Sequence, residues 1–306
     1  MGTPTFAVPS LRILRDNGYP LAAVVTSPDK PRGRGQQVSF TPVKEEALRH
    51  SLPVLQPESL KEPSFVEALQ KAAPDLIVVV AFRILPLEVF ALPTLGAFNL
   101  HASLLPRYRG AAPINWAVMN GETETGVTTF LLQEKVDTGS ILLQARVSIG
   151  TDDTAGDVHD ALANVGAEIV LRTVRGLAGG NLQARPQDDR QASSAPKIFK
   201  EDCRIDWSKP ASTIANRVRG LAPVPTAWTT LVGQVWKIFR VRVVDGFAAA
   251  TEAPGAIIQL ERASCIVRTG KGIVAIEDVM LEGRKRLGIE EFLRGHPLKT
   301  GMILGG

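Results

Sequence analysis

The most constraining feature of the chain is an unbroken apolar run, Leu76-Ile77-Val78-Val79-Val80-Ala81. A strand with one wet face alternates apolar and polar residues. A run without alternation must be covered on both faces. Further short runs rich in Val, Ile, Leu and Phe lie at 21–26, 97–100, 127–132 and 141–147. Helical stretches fall around 8–17, 42–50, 63–72 and 111–119. Apolar strands separated by helices predict an α/β domain built on a parallel, doubly wound sheet, with 76–81 as a central strand.

A long helix is predicted next. Thr154 is a good N-cap with Asp157 in the first turn, and Val158, Leu162, Val165 and Ile169 recur at helical spacing. Gly176, Gly179 and Gly180 mark its end. His159 lies beside the apolar stripe and reads as a surface or packing histidine. Residues 181–199 are rich in Gln, Asp, Ser and Pro and read as a linker. A short helix at 211–220 follows, then strand-like segments at 227–232, 234–243, 255–260, 264–268 and 273–279. Short strands separated by turn residues predict a small β-barrel. The expected organisation is a catalytic-type domain at 1–180, a linker at 181–199 and a second domain at 200–306.

Composition narrows the class. A chain of 306 residues with 44% hydrophobic and 22% charged residues is an ordinary globular protein of about two domains. No apolar run approaches the roughly 20 residues of a membrane span. The Met1-Gly2-Thr3-Pro4 start is unlike a signal peptide. Cys203 and Cys265 read as reduced thiols of a cytoplasmic protein. Four histidines and no Cys-x-x-Cys give no ligand set for structural zinc. Charge is uneven: residues 1–199 carry 19 Lys and Arg against 20 Asp and Glu, whereas 200–306 carry 16 against 11. A basic second part suits an anion-binding module, nucleic acid first among its partners, although a solvated basic surface gives the same count.

Chemistry concentrates in Phe98-Asn99-Leu100-His101-Ala102-Ser103-Leu104-Leu105-Pro106. Alternation puts Asn99 and His101 on one face of a strand. They stand at its carboxyl end, where open α/β sheets bind ligands. Asn offers an amide donor for a developing oxyanion, and His can take or give a proton near neutral pH. Asp137, in Asp137-Thr138-Gly139, could orient that ring and stabilise its imidazolium form. In isolation the first pair also fits a buried, satisfied polar pair, and Asp-Thr-Gly also fits an ordinary turn. Residues 28–37, with Lys30, Arg32 and Arg34 among glycines and prolines, read as an exposed, flexible loop able to meet a phosphate backbone.

Taken together, these residues resemble the folate-dependent formyltransferases, and among them the methionyl-tRNA formyltransferase family. The resemblance is carried by Met1-Gly2-Thr3-Pro4, the loop from Pro28 to Gly35, Val78 to Ala81, and Phe98 to Pro106. It continues through Tyr108-Arg109-Gly110-Ala111-Ala112-Pro113-Ile114, Glu124-Thr125-Gly126-Val127-Thr128, Asp137-Thr138-Gly139 and Arg204-Ile205-Asp206-Trp207, and so covers nearly the whole chain. It implies a Rossmann-like domain followed by a barrel related to the OB fold. It also implies 10-formyltetrahydrofolate as donor, initiator methionyl-tRNA as acceptor, and no metal. By the same resemblance Asn99, His101 and Asp137 are the catalytic trio. Ser103, Leu104, Leu105 and Pro106 bind the folate, and Lys30, Arg32 and Arg34 meet the acceptor stem. A cytoplasmic monomer is expected.

Two departures from the family pattern stand out. Members usually begin with a short hydrophobic strand ahead of Gly-Thr-Pro. That strand is expected to be missing here, which points to a truncated or misassigned reading frame. Ala81-Phe82-Arg83-Ile84-Leu85-Pro86 is one residue shorter than the common form and has Arg83 in place of a glycine, in a loop expected near the pterin. Two rival functions remain open: a folate formyltransferase for a small amine such as a nucleotide sugar, and an RNA-binding protein with a retired catalytic domain.

Overall fold

The computed structural model describes residues 1–32, 37–245 and 252–306. Its contacts divide into two units. The first comprises Met1–Ala111, Glu124–Ser148 and His159–Ala195; the second comprises Ala112–Thr123, Ile149–Val158 and Pro196–Gly306. The division departs from the boundaries expected at 180 and 200. Residues 181–195 pack as part of the first unit: Arg185 exchanges backbone hydrogen bonds with Ile141 at 2.7 and 2.8 Å. The polar composition read as a linker belongs to a strap whose side chains bond the domain beneath it.

In chain order the first unit runs through α1 (Val8–Asp16), β1 (Val24–Val25), β2 (Lys30–Arg32), β3 (Gln37–Ser39), α2 (Pro42–Arg49) and β4 (Val54–Leu55). It continues with α3 (Pro63–Ala72), β5 (Ile77–Val80), α4 (Leu87–Phe90) and β6 (Ala97–His101). After α5 (Pro113–Met119), which belongs to the second unit, come β7 (Glu124–Leu131) and β8 (Ile141–Ser148). The long helix α6 (Ala155–Ala178) closes the series, with its residues from His159 onward in this unit. Its start is set as the sequence predicts: Thr154 and Asp157 cap one another reciprocally, Asp157 Oδ2 accepting from the Thr154 N–H at 2.9 Å.

The sheet is mixed rather than parallel. β1 pairs with β4 in parallel, and β5 with β6 in parallel, but β7 runs antiparallel to both β6 and β8. The physical reason lies between β7 and β8. The connection at 132–140 is too short for a parallel crossover, which takes about a dozen residues or more. β5 sits where its composition demands, with Ile77, Val79 and Val80 all buried. Its core also includes Phe65, Leu69, Val89 and Ala97.

Met1 and Gly2 stand at the position of the expected first strand. The Gly2 N–H bonds to the Val25 carbonyl and the Val80 N–H to the Met1 carbonyl, each at 2.9 Å, so these two residues link β1 to β5. Beside them lies a cavity of about 730 Å³ lined by Leu14, Leu21, Val24, Leu69, Ile77 and Val174, among others. The Met1 amino group is enclosed and donates to the Val78 carbonyl at 2.7 Å. Burial lowers its pKa to about 5.

The second unit carries α7 (Ala211–Leu221), β9 (Ala227–Leu231), β10 (Gln234–Val244), β11 (Ile257–Glu261), β12 (Ser264–Arg268), β13 (Ile273–Leu281), β14 (Leu287–Gly288) and α8 (Ile289–Gly295). Among the described residues its strands form one antiparallel sheet in the order β11-β12-β13-β10-β9, with β14 on β13. Trp207, Trp236, Ile238, Ile276 and Phe292 are central to its core. The Trp236 and Phe292 rings meet edge to face at 4.7 Å. Cys203 and Cys265 are free and buried; burial pushes the Cys265 thiol up to about 12. No helix among the described residues is long and apolar enough to cross a membrane.

Candidate active site

The carboxyl end of β6 delivers the first two side chains. Asn99 lies between Val79 on β5 and Phe130 on β7; His101 lies opposite Thr128. Phe98 and Leu100, the alternate residues, are buried in the other face. Asn99 is half-buried, and no described residue bonds its side-chain amide, which leaves both N–H donors free.

His101 is almost fully buried and held from three sides. Its Nε2 lies 2.8 Å from the Tyr108 carbonyl oxygen. A carbonyl can only accept, so Nε2 carries the hydrogen, and in the neutral ring Nδ1 is the free base. The Nδ1 atom faces Asp137 Oδ2 at 3.8 Å, and the edge of Phe130 packs against the ring at 6.5 Å. That carboxylate distance is ion-pair range but longer than a hydrogen bond. In this geometry the Tyr108 carbonyl makes the hydrogen bond that fixes the imidazole, and the Asp137 carboxylate faces Nδ1.

Asp137 is itself buried and fixed. Its backbone has φ +56°, a conformation aspartate tolerates better than most residues. Its Oδ2 accepts from the Gly110 N–H at 2.9 Å. Glycine is required on both sides of this contact. At Gly110, φ is +124° and an added Cβ would lie 2.6 Å from the Ala195 carbonyl oxygen; at Gly139 it would lie 1.7 Å from that of Leu131. The glycine of Asp-Thr-Gly thus serves close backbone approach.

The 103–106 segment wraps the end of β6. Ser103 is fully buried, its hydroxyl bonded to the Arg107 carbonyl at 2.6 Å. Thr128 Oγ1 donates to the Ser103 carbonyl and accepts from the Leu105 N–H. Leu105 is buried with Phe130 and Ile141, and the Leu105–Pro106 peptide is cis. Ser103 and Leu105 are thus occupied in building the loop. Leu104 and Pro106 are half-exposed and remain available to touch a ligand.

The segment read as a loop at 28–37 includes β2, which pairs antiparallel with β3, Lys30 opposite Ser39 and Arg32 opposite Gln37. Ladder pairing gives its backbone a partner that the polar composition concealed. Lys30 is exposed; Arg34 lies outside the described residues. The base is anchored by Asp29, which takes hydrogen bonds from Lys44 and from Gln56, and these hold its carboxyl below the usual range. Arg83 donates to the Glu58 and Pro57 carbonyls at 2.9 and 2.8 Å, so it ties the shortened 81–86 loop to its neighbour.

Tyr108-Arg109-Gly110 stood in the sequence only as part of the resemblance, with no role assigned, and Gln187 lay in the stretch read as a linker. Tyr108 and Gly110 act through a carbonyl and an N–H, which carry no side-chain signal. Gln187 bridges Arg109 to the Asp137 loop from 50 residues further on.

Residues 1–174 match the family model described as formyl transferase, and 197–297 match the model of the formyl transferase C-terminal domain. The chain belongs to the formyl transferase family. Among its curated formyltransferase relatives is the methionyl-tRNA formyltransferase of Syntrophus aciditrophicus, 50% identical across 100% of this chain and 97% of that protein. The methionyl-tRNA formyltransferase of Caldanaerobacter subterraneus subsp. tengcongensis is 48% identical across 99% of this chain and 98% of the relative. The fold is shared with the N-formyltransferase of Helicobacter canadensis, solved with folinic acid and dTDP-3-aminofucose. The two align with a TM-score of 0.66 at 19% identity, covering 94% of this chain and 97% of that one.

Proposed function

We propose that this formyl-transferring enzyme moves the formyl group of 10-formyltetrahydrofolate to the amino group of initiator methionyl-tRNA, giving the N-formylmethionyl-tRNA used to start translation. The acceptor reading is supported by the full-length likeness to methionyl-tRNA formyltransferases. The observation that carries the chemistry is the environment of His101: Nε2–H held by a carbonyl, Nδ1 free, and a carboxylate 3.8 Å from it.

The donor supplies an activated formyl carbon. Attack by the methionyl amine there places negative charge on the formyl oxygen. The free Asn99 amide is the donor for that oxygen. The attacking amine must lose a proton and the departing folate nitrogen must gain one. His101 Nδ1 takes the first proton, and the imidazolium formed is stabilised by Asp137. The same Nδ1–H then serves the oxyanion or returns the proton to the leaving nitrogen, so proton and charge balance over the cycle. No step draws on a metal. The 103–106 loop supports folate binding through its backbone together with Leu104 and Pro106, while Ser103 and Leu105 hold its shape.

Recognition of the tRNA is assigned to Lys30, Arg32 and Arg34 and to the basic 200–306 region. The enzyme is taken to work as a cytoplasmic monomer. The test is donor consumption with charged initiator tRNA, set against a small amine such as an amino sugar nucleotide. Transfer only to the small amine would refute the acceptor. Binding of tRNA with no transfer at all would mean a retired site.

A further inference from the structure

We infer that Gln187 is a positioning residue for formyl transfer, acting through the backbone of the Asp137 loop. The inference rests on the proposed roles of His101 and Asp137.

The Gln187 amide uses its full hydrogen-bonding capacity. Its Nε2 donates to the Asp137 carbonyl at 2.9 Å and the Gly139 carbonyl at 2.8 Å. Its Oε1 accepts from Arg109 Nε at 3.1 Å and Nη2 at 2.6 Å. The amide orientation is fixed by these partners. Reversing it would set an oxygen against two carbonyls and an NH₂ group against a guanidinium.

These bonds close a ring around the catalytic pair. Consecutive residues 108–110 touch all of it. The Tyr108 carbonyl holds His101, the Gly110 N–H holds the Asp137 carboxylate, and the Arg109 side chain holds Gln187. Gln187 then returns to the backbone of Asp137. The strap carrying it is tied on in the same place, since the Tyr108 N–H bonds Ser193 Oγ at 2.9 Å and the Arg109 N–H bonds the Ser193 carbonyl at 2.8 Å. Asp137 sits at φ +56°, so its carboxylate stays near His101 only while the surrounding bonds enforce that backbone. Gln187 supplies two of them, at the Asp137 and Gly139 carbonyls.

The experiment compares Gln187→Ala and Gln187→Glu with Asp137→Asn in steady-state formyl transfer from 10-formyltetrahydrofolate to methionyl-tRNA. Gln187→Glu keeps the acceptor for Arg109 but loses both donors to the loop. The expected result is a drop in kcat of about tenfold in both Gln187 variants, with KM for each substrate within about twofold of wild type. The acidic limb of the kcat–pH profile should also move to lower pH, in the direction Asp137→Asn moves it. Adding Gln187→Ala to Asp137→Asn should cost little more, because both act through one carboxylate. Wild-type kcat and pH profile in the Gln187 variants, with Asp137→Asn impaired, would overturn the inference alone. A kcat loss with no pH shift and full additivity would make Gln187 merely structural, which also overturns it. An unimpaired Asp137→Asn would instead overturn the underlying catalytic reading.

Discussion

His101 gives its Nε2 hydrogen to the Tyr108 carbonyl at 2.8 Å and thereby turns Nδ1, its basic atom, toward Asp137. In the proposed mechanism this sets the base and its counter-charge in place before substrate arrives. His101→Ala should therefore lower kcat by about 10²–10⁴-fold, and Asp137→Asn by a smaller factor, with tRNA affinity nearly unchanged. Single-turnover kinetics and a tRNA titration separate the two effects. Equal rates in either variant and the wild type would remove that residue from the mechanism.

The glycine of Asp-Thr-Gly is a second point of sensitivity. Gly139→Ala places a carbon 1.7 Å from the Leu131 carbonyl oxygen, so the Asp137 turn must move. A loss of about 1–3 kcal/mol in urea unfolding is expected, together with reduced kcat. Unchanged stability and turnover would show that the turn adapts freely.

Much of this was legible in the sequence, and the limits are physical. The unalternated run at 76–81 announced a buried strand, and β5 is one. The spacing of Asn99 and His101 announced a shared strand face at a carboxyl end. Strand direction was hidden, because the apolar runs that became β7 and β8 read the same either way. Only the short span between them carries the antiparallel answer. Gln187 was hidden for another reason. A glutamine in a polar stretch looks solvated, and its partners are carbonyls that any residue could supply.

The proposed contact of Lys30, Arg32 and Arg34 with tRNA predicts a salt effect. Arg34→Ala and Lys30→Ala should each weaken tRNA binding and flatten the dependence of log Kd on log salt by about one unit or less. Binding isotherms across a salt series read this directly. Parallel lines of equal slope and intercept for variants and wild type would exclude the segment from the interface.

Stability below neutral pH should reflect Glu46. This buried carboxylate on α2 takes hydrogen bonds from Arg12 at 2.8 Å, and these outweigh desolvation and hold its pKa down to about 2 from 4.5. A depressed acid stabilises the fold above its unfolded pKa, and that contribution is lost as pH falls through the folded value. Arg12 is half-exposed, so solvent screening reduces the effect to about 1–2 kcal/mol. Glu46→Gln should be less stable than wild type at pH 7, with the difference shrinking between pH 4.5 and pH 2. A constant difference across that window would contradict the ion-pair account.

The most direct measurement is formyl transfer from 10-formyltetrahydrofolate to charged initiator tRNA by the purified protein, with His101→Ala as control. The account predicts stoichiometric formylmethionyl-tRNA from the wild type and a rate lower by at least about 10²-fold in the variant. Formylation at equal rates by both proteins, or donor consumption only when a small amine replaces the tRNA, would contradict it.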